Sequence, residues 1–134
     1  MGKKKSKPIV LLVDDEKEVR TVLADFLKIR YNCEMREAEN GEEAIAFIEN
    51  NPCDVMILDI RMPKKGGIDV IKETKAIKPD IDILVISAWV SDDVSHEAVK
   101  LGAIDYIVKP LDLKVFNMKF SDILDKRGQN FSKT

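Results

Sequence analysis

Four positions in this sequence carry side chains whose types and spacing could do chemistry together. The first is the acidic triplet Asp14-Asp15-Glu16, and the others are Asp59, Ser87 and Lys109. Each position directly follows a run of apolar residues, which is the pattern of a strand that ends in a polar loop. Ligands of an open α/β sheet bind outside the carboxyl ends of its strands, so we expect the four positions to lie at one edge.

The carboxylates at this edge indicate a metal site. Asp14, Asp15 and Asp59 would repel one another and raise the pKa of at least one of them, unless a cation lies between them. Mg²⁺ suits such a site, because it prefers oxygen ligands, keeps several waters and commonly binds a phosphate oxygen. Zinc is not expected, because the two cysteines are isolated and the chain has a single histidine.

The same residues suggest phosphoryl transfer. A carboxylate can accept a phosphoryl group as a nucleophile, while a metal ion and a lysine neutralise the charge on the transferring oxygens. Lys109 is suited to that role, and Ser87 could donate a hydrogen bond to another oxygen. Ala88 directly after Ser87 would leave space for the incoming group.

Each position also has a simpler explanation when taken alone. The acidic triplet 14–16 could cap a helix and complement its dipole, Asp59 could be a loop acid, Ser87 a turn residue and Lys109 a surface charge. A helix cap, however, explains none of the other three positions. Their joint occurrence after successive apolar runs therefore favours a shared site.

Alternating apolar runs and helical patterns must position these residues. Strands are predicted at 9–13, 55–58, 83–86 and 106–108, with a weaker strand at 33–38. Helical spacing occupies 19–27 and 44–48, and further helices are predicted over 68–77, 92–101 and 112–126. Five strand–helix units with right-handed crossovers require a parallel sheet that is covered on both faces, which is a doubly wound α/β fold.

Length, charge and hydropathy argue against several other classes of function. The 134 residues are the size of one domain, and the net charge of −2 argues against broad electrostatic capture of nucleic acid. No apolar run reaches 18 residues and no signal peptide is recognised, so we expect a cytoplasmic protein without a membrane segment. Residues 1–7 are expected to form a disordered basic tail, and 128–134 a C-terminal tail or the start of a linker.

These features resemble the receiver domain of two-component response regulators, in the CheY-like superfamily, over residues 8–127. The resemblance rests on motifs at the ends of four predicted strands: Asp14-Asp15, Asp59-Ile60-Arg61-Met62-Pro63 with Gly67, Ser87-Ala88, and Lys109-Pro110 preceded by Tyr106. It implies a flavodoxin-like (βα)₅ sandwich with strand order 2-1-3-4-5, an order that the apolar pattern alone does not give.

The resemblance also implies a role for each matching residue. Asp59 corresponds to the phosphoacceptor, and Asp14, Asp15 and Asp59 with the backbone carbonyl of Arg61 correspond to the Mg²⁺ ligands. Lys109 corresponds to the phosphate-binding lysine, and its peptide bond to Pro110 is expected to be cis. Ser87 and Tyr106 correspond to a switch pair that changes the surface of helix four, strand five and helix five.

The implied partner is a sensor histidine kinase or a phosphotransfer protein. A homodimer or an effector domain could use the helix 4–strand 5–helix 5 surface, and direct contact with nucleic acid or membrane is not expected. The domain would be a phosphoacceptor that promotes its own phosphorylation and dephosphorylation rather than an enzyme with external substrates.

Two other functions stay open from the residues. One is a Mg²⁺-dependent aspartyl phosphatase of the haloacid dehalogenase type, although the second aspartate expected two residues after the nucleophile is replaced by Arg61. The other is a receiver-shaped scaffold that is not phosphorylated. A flavin carrier is disfavoured, because the acidic triplet would repel the flavin phosphate.

Two residues depart from the commonest receiver pattern. Arg61 lies two positions after Asp59, and Trp89 lies two positions after Ser87. We hypothesise that both side chains lean over the phosphorylation site, restrict the attacking water and tune the lifetime of the acyl phosphate. Solvent-facing loop side chains are the alternative interpretation.

Overall fold

Strands and helices alternate along the chain, as the apolar pattern predicts. The computed structural model describes residues 6–62, 65–88 and 92–131. In chain order the elements are β1 (Ile9–Val13), α1 (Lys17–Arg30), β2 (Glu34–Ala38), α2 (Gly41–Asn50), β3 (Val55–Leu58), α3 (Gly67–Ile77), β4 (Asp82–Ser87), α4 (Asp92–Lys100), β5 (Asp105–Val108) and α5 (Leu113–Arg127). The strands pair in parallel in the order β2-β1-β3-β4-β5. The predicted doubly wound (βα)₅ fold is confirmed.

The helices predicted over 68–77, 92–101 and 112–126 end within one residue of the observed ones, and the local reasons for the difference are clearest at α5. Asp112 precedes the helix instead of starting it, because its carboxylate accepts hydrogen bonds from the N–H groups of Lys114 and Val115. Gly128 follows the helix with a φ of 69°, a left-handed conformation that glycine adopts without steric cost. α5 therefore spans Leu113–Arg127 where 112–126 was predicted.

The sheet separates two hydrophobic cores, one on each face. Alternate residues of β1 point to opposite cores: Leu11 and Val13 to one, Val10 and Leu12 to the other. The first core is completed mainly by α2 and α3, and the second by α1 and α5. Burial on both faces explains why the strands are continuously apolar, and it fixes the points at which they end.

Gly67 lets α3 begin directly against the loop that follows β3. Its N–H donates to the carbonyl of Ile60 at 2.9 Å. A Cβ atom at this position would lie only 2.4 Å from the Cα of Ile60, closer than two carbon atoms can pack. The loop that starts at Asp59 is therefore shaped by an approach that only glycine allows.

The described part of the C-terminal segment contacts the domain. Gln129 is buried and donates through Nε2 to the carbonyl of Ser6, while the N–H of Asn32 donates to the carbonyl of Phe131. Residues 128–131 thus pack along the sheet edge opposite the carboxyl ends of the strands. The domain limits of 8–127 stay a prediction.

None of the helices in the described ranges is both long and apolar enough to cross a membrane.

Candidate functional site

The backbone of the candidate site continues the hydrogen-bond ladder of the sheet beyond the strand ends. The N–H of Asp59 donates to Val13 O (2.9 Å), that of Asp14 to Ala38 O (3.2 Å) and that of Lys109 to Ser87 O (2.7 Å). The residues after β1, β3 and β5 are consequently held in the frame of the sheet. The structure brings all four chemically interesting positions of the sequence to its carboxyl edge.

Four carboxylates converge at this edge. Asp14, Asp15, Glu16 and Asp59 each offer an oxygen, and these oxygens all lie within 4.8 Å of one another. We call these four residues the acidic cluster. Asp14 and Asp59 are each only 4% exposed, whereas Asp15 and Glu16 face solvent. The cluster thus has a buried floor and a hydrated rim.

Lys109 reaches into the acidic cluster from the end of β5. Its Nζ lies 3.1 Å from Asp14 Oδ2, 2.8 Å from Glu16 Oε1 and 3.3 Å from Asp59 Oδ2. The Lys109–Pro110 peptide bond is cis, as the resemblance to receiver domains implies. One ammonium group therefore contacts three of the four carboxylates.

The electrostatics of the cluster follow from burial and from this lysine. Burial raises the pKa of Asp14, and the nearby charge of Asp59 adds to the rise, against hydrogen bonds from the Glu16 N–H and from Lys109. Burial alone would lower the pKa of Lys109, but hydrogen bonds to Glu16 and Asp14 and the charge of Asp59 outweigh it and hold that pKa above its usual value. A raised carboxyl pKa was expected from repulsion, yet burial is the larger cause.

The donor set fits a hard divalent cation. Within the described part of the chain, four carboxylates meet the ammonium group of Lys109, which leaves an excess of negative charge in a partly buried space. All the ligand atoms of the cluster are oxygens. Oxygen donors with access to water are what Mg²⁺ requires. No sulfur or imidazole ligand joins the group that the described residues form, so zinc is a poor match.

The carboxylate of Asp59 is oriented on both sides. Its Oδ1 accepts a hydrogen bond from the N–H of Arg61 at 3.0 Å, and its Oδ2 contacts Lys109. The residue is held at its backbone and at both oxygens, while Arg61 itself is exposed. Asp59 is therefore a fixed carboxylate at the bottom of an open cluster.

Ser87 and Tyr106 differ sharply in burial. Ser87 is 0% exposed, and its hydroxyl has no hydrogen-bond partner in the described structure. A buried hydroxyl normally has such a partner, so this one can bind an oxygen that arrives at the site. Tyr106 on β5 is 37% exposed and lies at the surface of the sheet's edge.

Two contributors to the site had no individual role assigned to them from the sequence. Glu16 binds Lys109, and its place in the acidic triplet was a usable signal for that role. Arg20 donates through Nη1 to the backbone carbonyl of Asp14 at 2.6 Å. Its only signal was a charge in the apolar stripe that α1 forms with Leu23 and Leu27.

Two residues named from the sequence lie outside the described residues. They are Pro63, from the motif after Asp59, and Trp89, which was expected over the site. The placement of Trp89 relative to the cluster stays a prediction.

Sequence comparison identifies the domain family. The family model for the response regulator receiver domain matches residues 10–120. The transcriptional regulatory protein ZraR of Klebsiella oxytoca is 35% identical over 115 residues, which make up 86% of this chain and 26% of that protein. The chain thus spans about a quarter of the length of this relative.

Solved structures agree with this assignment. A CheY-like response regulator receiver domain protein from Methanospirillum hungatei JF-1 has a TM-score of 0.87 at 23% identity, covers 92% of this chain and 98% of that one, and supports the fold. The response regulator protein TrrA from Thermotoga maritima, solved in complex with Mg²⁺-BeF, has a TM-score of 0.78 at 31% identity and covers 87% of this chain and 99% of that one. Since the family match extends over most of the sequence, this chain belongs to the receiver domains of two-component response regulators.

Proposed function

We propose that this receiver domain is a switch whose state is set by a phosphoryl group on Asp59. The observation that carries the proposal is the contact of Lys109 Nζ with both buried aspartates, 3.1 Å from Asp14 and 3.3 Å from Asp59. A phosphoryl group on Asp59 would carry its negative oxygens into reach of that ammonium. The donor would be a phosphohistidine of a sensor kinase or of a phosphotransfer protein.

Mg²⁺ would bind at the acidic cluster. The proposed ligands are the carboxylates of Asp14, Asp15 and Asp59 and the backbone carbonyl of Arg61, with waters completing the shell. When bound, the ion supplies positive charge that neutralises the phosphoryl oxygens during transfer. The excess of carboxylates over ammonium groups in the cluster supports this assignment.

Asp59 would act as the nucleophile. One of its carboxylate oxygens forms a bond to phosphorus while the bond from phosphorus to the donor's histidine nitrogen breaks, and the electron pair of that bond stays on the nitrogen. The N–H of Arg61, 3.0 Å from Asp59 Oδ1, orients the carboxylate before attack. In dephosphorylation, water attacks phosphorus and the carboxylate of Asp59 leaves, which releases inorganic phosphate.

Lys109 would hold the transferred group. It can exchange one carboxylate contact for a phosphoryl oxygen, because its ammonium has three donors and already contacts three acceptors. Such charge-assisted hydrogen bonds contribute more free energy in a partly buried site than in water, because solvent screens them less.

Ser87 and Tyr106 would convert this event into a change of surface. A hydrogen bond from the buried Ser87 hydroxyl to the phosphoryl group would contribute roughly 1.5–3 kcal/mol. A tenfold population shift needs only about 1.4 kcal/mol, so this one bond is sufficient. Movement of Ser87 would make room for the partly exposed ring of Tyr106 to turn inward.

The surface that would change includes exposed apolar side chains on α4, β5 and α5. Val99, Tyr106, Val108 and Met118 are all exposed. Such a surface suits an effector domain or a second copy of the chain, and its packing would depend on the position of Tyr106.

An aspartyl phosphatase remains the second candidate. Its acid–base step needs a carboxyl group near the leaving oxygen, and the expected position holds Arg61, whose side chain cannot donate a proton at ordinary pH. The phosphatase function therefore has less support than the switch. In a scaffold that is never phosphorylated, the buried Ser87 hydroxyl would gain no hydrogen-bond partner.

Incubation with acetyl phosphate and Mg²⁺, followed by intact-mass spectrometry, tests the proposal. We expect an adduct of about one phosphoryl unit, roughly 80 Da, that is absent in Asp59→Asn. An Asp54→Asn variant is a matched control, because Asp54 lies at the opposite edge of the sheet and should leave labelling intact. Steady turnover of an external phosphomonoester would favour the phosphatase, and the absence of any adduct would favour the scaffold.

A further inference from the structure

Arg20 is a buried charge in the apolar stripe of α1 that the proposed function does not use. It is 9% exposed and lies on the same helix face as Leu23 and Leu27. Burying a guanidinium group is costly unless hydrogen bonds and an opposite charge compensate it. Its contacts should therefore show why an arginine occupies this position.

The guanidinium bridges two separate parts of the fold. Nη1 donates to the backbone carbonyl of Asp14 at 2.6 Å, and Nε donates to Glu37 Oε1 at 2.8 Å. Glu37 belongs to β2, whereas Asp14 begins the loop between β1 and α1. Arg20 consequently ties this loop to both the helix after it and the neighbouring strand.

Asp14 is restrained at three of its polar groups. Its N–H donates to the carbonyl of Ala38 at 3.2 Å, its Oδ1 accepts from the N–H of Glu16 at 2.9 Å, and its carbonyl accepts from Arg20. A fixed carbonyl direction also fixes the plane of the next peptide unit, because the peptide bond is planar. That peptide unit leads to Asp15.

We propose that Arg20 is a positioning residue for the acidic cluster. Glu37 holds the guanidinium, the guanidinium holds the Asp14 carbonyl, and the carboxylates of Asp14 and Asp15 are thereby presented to Mg²⁺ in one arrangement. This inference rests on the proposed function, since it assigns Arg20 to the metal site of that function.

The effect that we assign to Arg20 is on the position of the ligands. Its hydrogen bonds go to a backbone carbonyl and to Glu37, which is outside the cluster, whereas Lys109 directly contacts the cluster carboxylates. Groups that orient metal ligands from outside typically change metal affinity by about 10- to 100-fold when they are removed.

The test compares Arg20→Gln with Arg127→Gln. Arg127 is a matched control, because it is also mostly buried and joins two carboxylates, Asp54 and Asp82, at the opposite edge of the sheet. Arg20→Lys keeps the charge, but its single nitrogen cannot repeat the fork that binds two acceptors, so it should resemble Arg20→Gln more than the unmodified protein. Each variant is examined by titration calorimetry with Mg²⁺ alone, by denaturant unfolding and by metal-free amide hydrogen exchange at Glu16.

We expect Arg20→Gln to weaken Mg²⁺ binding about 10-fold and to speed exchange of the Glu16 amide, and Arg127→Gln to do neither despite a similar loss of stability. Equal effects in both variants would overturn the proposal, because they would reflect general destabilisation. Faster exchange without weaker Mg²⁺ binding would overturn it as well.

Failure of the proposed function gives a different result. If the unmodified protein does not bind Mg²⁺, the metal site itself is refuted and Arg20 has no ligand to position. If the unmodified protein binds Mg²⁺ and all Arg20 variants bind it equally well, only the role of Arg20 is refuted.

Discussion

Lys109 and Glu16, which are 93 residues apart in the sequence, form a salt bridge of 2.8 Å across the hydrated rim of the acidic cluster. Glu16 is half exposed, so solvent screens this pair and its net free energy is small. The contacts of Lys109 with buried Asp14 and Asp59 are less screened. Glu16 is therefore the partner that Lys109 can exchange most easily for a phosphoryl oxygen.

Lys109→Gln should slow labelling by acetyl phosphate by about 100-fold, which is typical for the loss of one group that stabilises transferring oxygens. The same change should strengthen Mg²⁺ binding, because a competing cation leaves the cluster. Labelling kinetics and calorimetry measure the two effects. Lys119→Gln, which breaks an ion pair between α5 and Asp105 of β5, is the control. A Lys109 variant that behaves like this control would contradict the assigned role.

Asp14→Asn should abolish measurable Mg²⁺ binding while stabilising the metal-free protein at pH 7 by up to about 1 kcal/mol. The pKa of Asp14 is raised in the folded state, mainly by burial, so its ionised form lowers stability at neutral pH. Protonation removes that cost as the pH falls below the folded-state pKa. The difference between the variant and the parent should therefore shrink toward acidic pH in denaturant titrations, and a difference that grows would show the opposite sign.

Ser87→Ala should change the unfolding free energy of the resting protein by less than about 1 kcal/mol, because the hydroxyl has no partner there to lose. In the presence of Mg²⁺ and beryllofluoride, the ratio of switched to resting molecules should fall about tenfold. The NMR signals of the Tyr106 ring report that ratio. Ser121→Ala, which removes from α5 a hydroxyl that accepts a hydrogen bond from Asn130, should leave the ratio unchanged.

Gly67→Ala should destabilise the domain by about 1–3 kcal/mol, the usual cost of forcing an atom into filled space. The new Cβ would lie 2.4 Å from Ile60 Cα, so the loop after Asp59 must shift and labelling should slow. Gly66→Ala is a strict control, because a Cβ there meets nothing within 4 Å. Similar results for the two glycines in denaturant unfolding would refute the packing argument.

Arg61→Ala should shorten the lifetime of the acyl phosphate up to about tenfold, if the side chain restricts the attacking water as we propose. The N–H that orients Asp59 is kept in this variant, so labelling itself should persist. Release of inorganic phosphate after removal of the donor measures the lifetime. Arg36→Ala, an exposed arginine on β2, is the control, and identical rates would dispose of the idea. Trp89→Ala tests the companion expectation from the sequence.

The sheet and the converging positions could be predicted because both depend on short-range signals. A strand buried on both faces must be continuously apolar, and the first polar residue after it marks the carboxyl edge. Asp14, Asp59, Ser87 and Lys109 were located in this way. The family motif added the cis peptide bond at Pro110 and the order of the strands, which apolar periodicity does not contain.

Other features depend on contacts that no local pattern encodes. The bond from Arg20 to the Asp14 carbonyl requires knowledge of where β2 places Glu37. The burial of Gln129 requires knowledge of where the chain passes Ser6. The dominance of burial over repulsion in the pKa of Asp14 could not be judged before the depth of the cluster was known.

Arg127, in the last turn of α5, forms salt bridges with Asp54 and Asp82. Asp54 directly precedes β3, and Asp82 is the first residue of β4. Gln129 adds a second fastening after α5. A helix that is held by such contacts at its C-terminal end tilts about that end when neighbouring elements shift. The first turns of α5, near Leu113, would then move furthest when the carboxyl edge of the sheet rearranges, because they are the part of the helix most distant from the contacts of Arg127.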